Sequence, residues 1–502
     1  MRAIFLASLL ACGVSAWPLT SAGAPPADVQ HVSTPPRLQA DLRTNWTRQD
    51  VQGLIEAIEG LRAHGLDPSH YHLNDLALTT QDGMVDDDLA TQAWLSAAGD
   101  LLHGKVDPHT VASGWSLAAR KADLPKALAV ALETGTVSTS LEQFAPANPA
   151  YTLLKDELKK LRQEEPTPIA EVPDGPVLKT SMSGERVRAL QLRLVALGKL
   201  SDEQVSESMD EATVAAVEAF QGAQGLDADG IVGPATLRAL NRGPEARMEQ
   251  LRINMERLRW MPDDLGQRHV RANIAAFEAS AVEDGVSRQD HRLMVGKPSR
   301  QSPLFSSEIE AVVLNPWWEV PSRLARYDLL PKFQWNPGAV ELQGFQVING
   351  AGRQVDPSSI NWKALSPATF PYRLRQAPGP YNPLGRVKVM FPNAYEIRMH
   401  DTTRRDLFER SQRALSSGCL RVQAPVDLVT WLLSRTEDWD RAAIEAAIAS
   451  DEVVRVELAR TVPIHILYLT AVSDGAGGVR YLDDVYQRDG ELLAALEAPP
   501  ED

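Results

Sequence analysis

Only two cysteines occur in 502 residues, so no disulfide framework holds this fold. Cys12 falls in a stretch that reads as an export signal: Met1-Arg2, an apolar run from Ala3 to Ala16, and Val14-Ser15-Ala16 at the cleavage point. Removal of residues 1–16 is expected; the alternative is a lipoprotein signal, Leu9-Leu10-Ala11-Cys12, with Cys12 acylated. Cleavage after Ala16 leaves one thiol, Cys419, with no internal partner. An excess of positive charge is also missing. The net charge of -15 argues against a nucleic-acid face and against adsorption to anionic lipid. Past the signal, no stretch reaches about 18 uninterrupted apolar residues, so a membrane-spanning helix is not expected. The chain is too long for one hydrophobic core, and two to four domains are expected.

Composition and periodicity divide the chain. Pro25-Pro26 and Pro35-Pro36 mark a loose leader. From Trp46 to Leu161 the spacing is helical, with Val51, Leu54, Ile55, Ile58 and Leu61 on one stripe and Gly65 at its end. A proline- and glutamate-bearing linker follows over residues 163–176. Residues 178–242 read as three helices. The first carries Val187, Leu190, Gln191 and Leu194, and the second Val214, Val217 and Phe220; Thr236 or a neighbour is expected to cap the third. A connecting helix is expected over Arg247 to Leu258. Beyond it, Val270–Phe277, His291–Val295, Ile309–Leu314, Val387–Phe391 and Ala394–His400 read as strands. Pro463–Ala471 and Gly478–Leu482 read as a late hairpin returning to that sheet. Residues 322–385, rich in proline and aromatics, interrupt the strands and read as a lid or a packed decoration. The fold class is multidomain α+β.

The chemistry concentrates in Ser416-Ser417-Gly418-Cys419-Leu420-Arg421 and His400. An unpaired thiol in an oxidising compartment is a liability, tolerated most readily when its reactivity is needed. Cys419 reads as a nucleophile and His400 as the base that activates it and then protonates a leaving amine. Ser416, Ser417 and Gly418 form a turn whose N–H groups are placed to hold an oxyanion. Arg421 either binds a carboxylate or supports the turn. Zinc is the other use of Cys with His, but His269, His291, Asp401 and His465 lack ligand-like spacing, so no metal and no cofactor is expected.

His400-Asp401-Thr402 followed by Ser416-Ser417-Gly418-Cys419-Leu420-Arg421 resembles the signature of the L,D-transpeptidase (YkuD-type) catalytic domain. Residues 184–241, from Gly184 through Gln191, Phe220-Gln221, Asp229-Gly230 and Gly233 to Asn241, resemble the three-helix peptidoglycan-binding domain. Asn254-Met255-Glu256-Arg257, Val295-Gly296-Lys297-Pro298, Asn315-Pro316-Trp317-Trp318, Arg375-Gln376-Ala377-Pro378-Gly379 and Gly104-Lys105-Val106-Asp107-Pro108 resemble the large periplasmic members that add a helical scaffold.

The resemblance implies an order of domains: scaffold 30–165, peptidoglycan-binding domain 178–242, and catalytic domain 268–490 with a capping insertion at 322–385. It implies a thioester on Cys419, release of D-alanine from a tetrapeptide stem, and transfer to a neighbouring diamino acid to give a 3→3 cross-link. Water as acceptor would make it an L,D-carboxypeptidase, and a free D-amino acid would give exchange. A wall-bound scaffold with an idle thiol is the non-enzymatic alternative. Relatives are acylated by carbapenems at this cysteine. Peptidoglycan stems, other wall synthases and a periplasmic, wall-associated location are implied. Asn315, Trp317, Trp318 and Asn393 are expected at the cleft as substrate-binding residues, with strand-end packing as the alternative for the first three. One departure stands out: Arg398 occupies a position where the family pattern has an aromatic.

Overall fold

The computed structural model describes residues 45–81, 83–111, 115–163 and 171–500. The expected signal, Cys12, the proline leader and residues 164–170 of the expected linker lie outside the described residues. None of the described helices is long and apolar enough to cross a membrane.

The helical region begins at Arg48–Gly60, nucleated by a reciprocal cap between Thr47 and Asp50 that satisfies two terminal N–H groups. Its Val51, Leu54 and Ile58 face inward. After one more tight turn the chain reverses at Gly65, with φ 75°. The helix Asp87–His103 buries Trp94 completely, and the indole N–H donates to Ser140 Oγ at 2.8 Å.

Residues 171–242 build a small unit with its own core of Val187, Leu190, Leu194, Val217, Phe220 and Leu240. Two buried glutamines brace it in the same way. Gln191 Nε2 donates to Ser208 O and Thr213 Oγ1, and its Oε1 accepts from Ser206 N. Gln221 Nε2 donates to Ile231 O and Thr236 Oγ1, and its Oε1 accepts from Gly230 N. A buried amide keeps its place only when both ends are paired. This corrects the expectation for Thr236. Gly233 is the cap and Pro234 opens the helix, while Thr236 serves Gln221 from inside it.

The helix Pro244–Arg259 begins earlier than its periodicity predicts, because Pro244 opens it in a position where no N–H is needed. It is the joint of the molecule. Asn254 spans Gln250 O and Thr470, Gln250 Nε2 reaches Thr470 O and Leu482 O, and Arg257 pairs with Asp489 at 2.7 Å. On the scaffold side Glu256 Oε1 accepts from Val106 N at 2.8 Å. Gly104, with φ 89°, has no room for a side chain: a Cβ would lie 2.6 Å from Trp260 Nε1. Hydrophobic packing therefore runs without a break from Trp46 through this helix into the C-terminal sheet.

That sheet has nine strands in the order β11-β3-β12-β10-β9-β4-β13-β1-β2, with β2 also pairing β3. In chain order they are β1 (Arg268–Asn273), β2 (Glu278–Glu283), β3 (Val286–Gly296) and β4 (Phe305–Leu314). A small separate sheet then supplies β5 (Trp318–Glu319), β6 (Phe345–Ile348), β7 (Gln354–Val355) and β8 (Arg373–Gln376). The main sheet resumes with β9 (Val387–Met390), β10 (Met399–His400), β11 (Ala414–Ser416), β12 (Leu420–Val422) and β13 (Val454–Leu467). β14 (Ala471–Ser473) and β15 (Val479–Tyr481) pair only with each other. Two expectations change here. Pro463–Leu467 belongs to β13, which lies between β4 and β1, and the late hairpin stays outside the sheet. Residues 394–398 are loop, held by the Asn393 side chain. The insertion has its own core, in which Phe333 meets Phe345 and Trp362 edge-on at 5.3 Å.

Arg259 and Glu256 form a fully buried pair at 2.6 Å, and Arg259 also donates to Tyr151 Oη at 3.0 Å. Removing one member strands a charge in the joint. The substitution Arg259→Met is expected to lower unfolding free energy by about 3–5 kcal/mol. The double variant with Glu256→Gln should recover part of it in urea denaturation.

Candidate active site

The site is made by one parallel strand pair. Met399 is paired with Leu420 and His400 with Arg421, while antiparallel pairing sets Lys388 beside His400. Leu420 N donates to Arg398 O at 3.0 Å, which extends that register and sets Arg398 beside Cys419. Side chains alternate along a strand, so Met399, Leu420, Val387 and Val389 enter the core on one face. His400, Arg421, Lys388, Arg398 and Cys419 share the other.

His400 is 4% exposed. Its Nδ1 lies 2.5 Å from Asp401 O. A carbonyl only accepts, so Nδ1 carries the proton and Nε2 is left as the basic nitrogen. Burial, reinforced by the Arg421 charge, pulls the imidazole down to about 3, so it is neutral at ordinary pH. Asp401 does not act as a side-chain partner of this histidine. Its carboxylate accepts from Arg386 N at 2.9 Å and pairs with Arg405 at 3.1 Å.

Cys419 is half-buried, and burial pushes its thiol above the ordinary value. A backbone hydrogen bond from Arg398 and the charges of Arg398, Arg421 and Lys388 oppose that push. The loop carrying it crosses the end of β3, between β11 on one side and β12 on the other. Side-chain oxygens hold its shape. Ser416 Oγ donates to Cys419 O at 2.6 Å and accepts from Gly418 N at 3.1 Å. Ser302 Oγ donates to Gly418 O at 2.7 Å and accepts from Gly296 N. Gly418, with φ 120°, adopts a conformation that disfavours any other residue. The Gly418 amide is thus committed to Ser416 and is not available to a ligand. Ser417 is exposed and accepts from Arg300, which also pairs with Asp328 of the insertion at 3.0 Å.

Two predicted substrate residues are structural. Asn315 is fully buried, with φ 49°, and its Nδ2 donates to the carbonyls of Ala447, Ile448 and Glu452 while Oδ1 accepts from Arg386. No polar atom remains for a ligand. Asn393 donates to Phe391 O and Ile397 O and accepts from Tyr395 N and Ile397 N, so it shapes the loop before His400. Trp317 lies under the Arg375 guanidinium at 4.7 Å, and Trp318 packs on Phe345 at the root of the insertion. Arg421 sits at the site, with no hydrogen-bond partner for its buried Nε among the described residues. Ser302 and Arg300 escape sequence reasoning because a lone serine or arginine in a loop carries no pattern.

Comparison with known proteins finds three families along the chain. Residues 267–454 match the family described as "L,D-transpeptidase catalytic domain" (YkuD), residues 183–240 that described as "Putative peptidoglycan binding domain", and residues 39–158 that described as "Scaffold domain". A "Putative L,D-transpeptidase" of Haemophilus influenzae is 34% identical over 247 residues, 49% of each chain. The N-acetylmuramoyl-L-alanine amidase CwlL of Bacillus licheniformis is 46% identical over 67 residues, 13% of this chain and 19% of that protein. The chain thus spans about half the length of the first of these curated relatives and about a fifth of the second. A crystal structure of the L,D-transpeptidase from Xylanimonas cellulosilytica overlaps 59% of this chain and all of its own, at 16% identity and a TM-score of 0.18. That overlap is too loose to bear on the fold, which rests on the sheet itself. With its His400/Cys419 pair on a β-sheet, this chain carries a YkuD-family L,D-transpeptidase catalytic domain, together with a peptidoglycan-binding domain and a scaffold domain.

Proposed function

We propose that this protein is a cysteine-dependent L,D-transpeptidase that forms 3→3 cross-links between peptidoglycan stems in the periplasm. The observation that carries this reading is the strand pairing that sets His400, with its proton held on Nδ1, beside the Cys419 loop. The Cys419 sulfur attacks the carbonyl between the diamino acid and the terminal D-alanine. The thiol proton passes to His400 Nε2, and the free N–H groups of Ser417 and Cys419 receive the oxyanion. As the C–N bond breaks, His400 returns the proton to the departing amine, leaving a thioester. The side-chain amine of a second stem then attacks the thioester, transfers its proton to His400 and restores the thiol. The peptidoglycan-binding domain keeps the enzyme on the wall, and the joint helix keeps the scaffold and catalytic domain in one frame.

With a neutral imidazole and a raised thiol, the resting pair is uncharged. Proton transfer accompanies attack instead of preceding it.

Cys419→Ser is expected to abolish cross-link formation by purified protein from tetrapeptide stems while circular dichroism stays unchanged. Undiminished 3→3 product in a muropeptide assay would overturn the assignment. His400→Gln should lower turnover by about 10²–10⁴-fold. Alkylation of Cys419 by iodoacetamide should keep rising as pH increases through 9, following the raised thiol. A preformed ion pair would instead plateau after a thiolate titration at about 3.5–7.5.

A further inference from the structure

Lys388, Arg398 and Arg421 share the site face of the sheet with His400 and Cys419. Lys388 lies across from His400 on β9, Arg421 across from it on β12, and Arg398 two residues before it. Neighbouring strands lie about 4.8 Å apart, and residues two apart on one strand about 6.6 Å. Arg398 therefore lies directly across from Cys419, Arg421 two residues along the same strand and Lys388 one strand further on, and the charges of all three act on the thiol.

Each is half-buried, and none forms an ion pair among the described residues. Arg398 donates only to the carbonyl of Ile397, and the Arg421 Nε is buried without a partner. Other sheltered arginines in this protein either meet a carboxylate, as Arg257 does with Asp489 at 2.7 Å, Arg300 with Asp328 at 3.0 Å and Arg242 with Asp483 at 3.6 Å, or spread their donors over several backbone carbonyls, as Arg193 and Arg413 do. The acids nearest the cluster do not neutralise it. Asp401 is turned to Arg405, and the exposed Glu319 attracts Lys388 without pairing with it. Further cations, Arg404 and Arg455, face Arg421 and Lys388. Three uncompensated like charges on a sheltered face are unfavourable unless an anion joins them.

We propose that Lys388, Arg398 and Arg421 form a carboxylate-reading site that binds the free C-terminal carboxylate of the amino acid displaced from the donor stem. The inference rests on the transpeptidase reading for the identity of the substrate. In such a stem the carboxylate is separated from the scissile carbonyl by one nitrogen and one α-carbon, a short span comparable to the one-strand spacing between Cys419 and Arg398, with Arg421 and Lys388 beyond it on the same face. A guanidinium offers a carboxylate two parallel donors, and Arg398 supplies one where the family pattern has an aromatic ring. The consequence is selectivity. A donor whose terminal carboxylate is masked loses these contacts, and a donor with one more residue carries its carboxylate past them.

The charge requirement is tested apart from turnover. Cys419 in the mature protein is alkylated at fixed pH with iodoacetate and with iodoacetamide, reagents that differ in one charge, and the adduct is located by peptide mass mapping. The iodoacetate/iodoacetamide rate ratio, taken relative to free cysteine, cancels any change in thiol ionisation. Wild type is expected to exceed free cysteine by about tenfold or more at low salt, and to lose most of that preference at high salt. Arg398→Gln should bring the ratio close to that of free cysteine; Lys388→Met supplies the same comparison if the first variant does not fold. A wild-type ratio equal to that of free cysteine, or one unmoved by these substitutions, overturns the proposal. With stems, a tetrapeptide amide should show a KM raised at least tenfold over the free acid, and Arg398→Gln should remove that difference. Retained iodoacetate preference with no turnover of either stem would count against the transpeptidase reading and leave the cation site standing.

Discussion

The two-residue parallel ladder between β10 and β12 is the constraint on which the rest depends. Its partners come from either side of β11 in the chain, and it puts His400 and the Cys419 loop on one face of the sheet. Met399 and Leu420, both fully buried, lock that register from below. A slip of one residue would move His400 to the core face and Met399 to the site, so packing of the core and assembly of the candidate site are one event.

The loop that bears Cys419 is held in place for a related reason. Its carbonyls and amides are met by hydroxyls: Ser416 from within the loop and Ser302 from the turn after β3. Tyr486 ties the same turn down by donating to Gly296 O and accepting from Ser302 N. Gly296 lets that turn close, since a Cβ there would lie 2.2 Å from Arg300 O. Arg300 then links Ser417 to Asp328, which sits in a single π-helical turn, Ala325–Leu329. Irregular turns of this kind store a local adjustment. Here one connects the insertion to the loop that bears the thiol.

Domain coupling is uneven. The scaffold and catalytic regions share one core through the helix Pro244–Arg259, whereas the peptidoglycan-binding unit and the insertion each keep their own. The glutamine-braced unit touches the catalytic domain through polar contacts such as Arg242 Nη1 to Tyr481 O and Ser411 N to Asp227. Contacts of this type hold orientation at little cost to independent folding. The motif Asn254-Met255-Glu256-Arg257 is explained by the joint: Asn254 and Arg257 face the catalytic domain, and Glu256 faces the scaffold.

The candidate site was read from residue type, because Cys419, the glycine before it and the histidine upstream suggest a chemistry by their kind alone. Helical periodicity and proline breaks likewise marked the scaffold, the three-helix unit and the insertion. Sequence left undecided which polar side chains spend their hydrogen bonds on the protein itself. Asn315 and Asn393 look like ligand-binding residues along the chain; Asn315 is consumed by carbonyls and a guanidinium that only folding brings within 3.2 Å, and Asn393 by the backbone of its own loop. The same holds for Arg398, which becomes a neighbour of Cys419, and for Lys388, which becomes a neighbour of His400, through strand register alone. Residue type set which chemistry was available, and tertiary structure decided which groups remained free to perform it, because a side chain's partners are fixed by contacts between segments far apart in the chain.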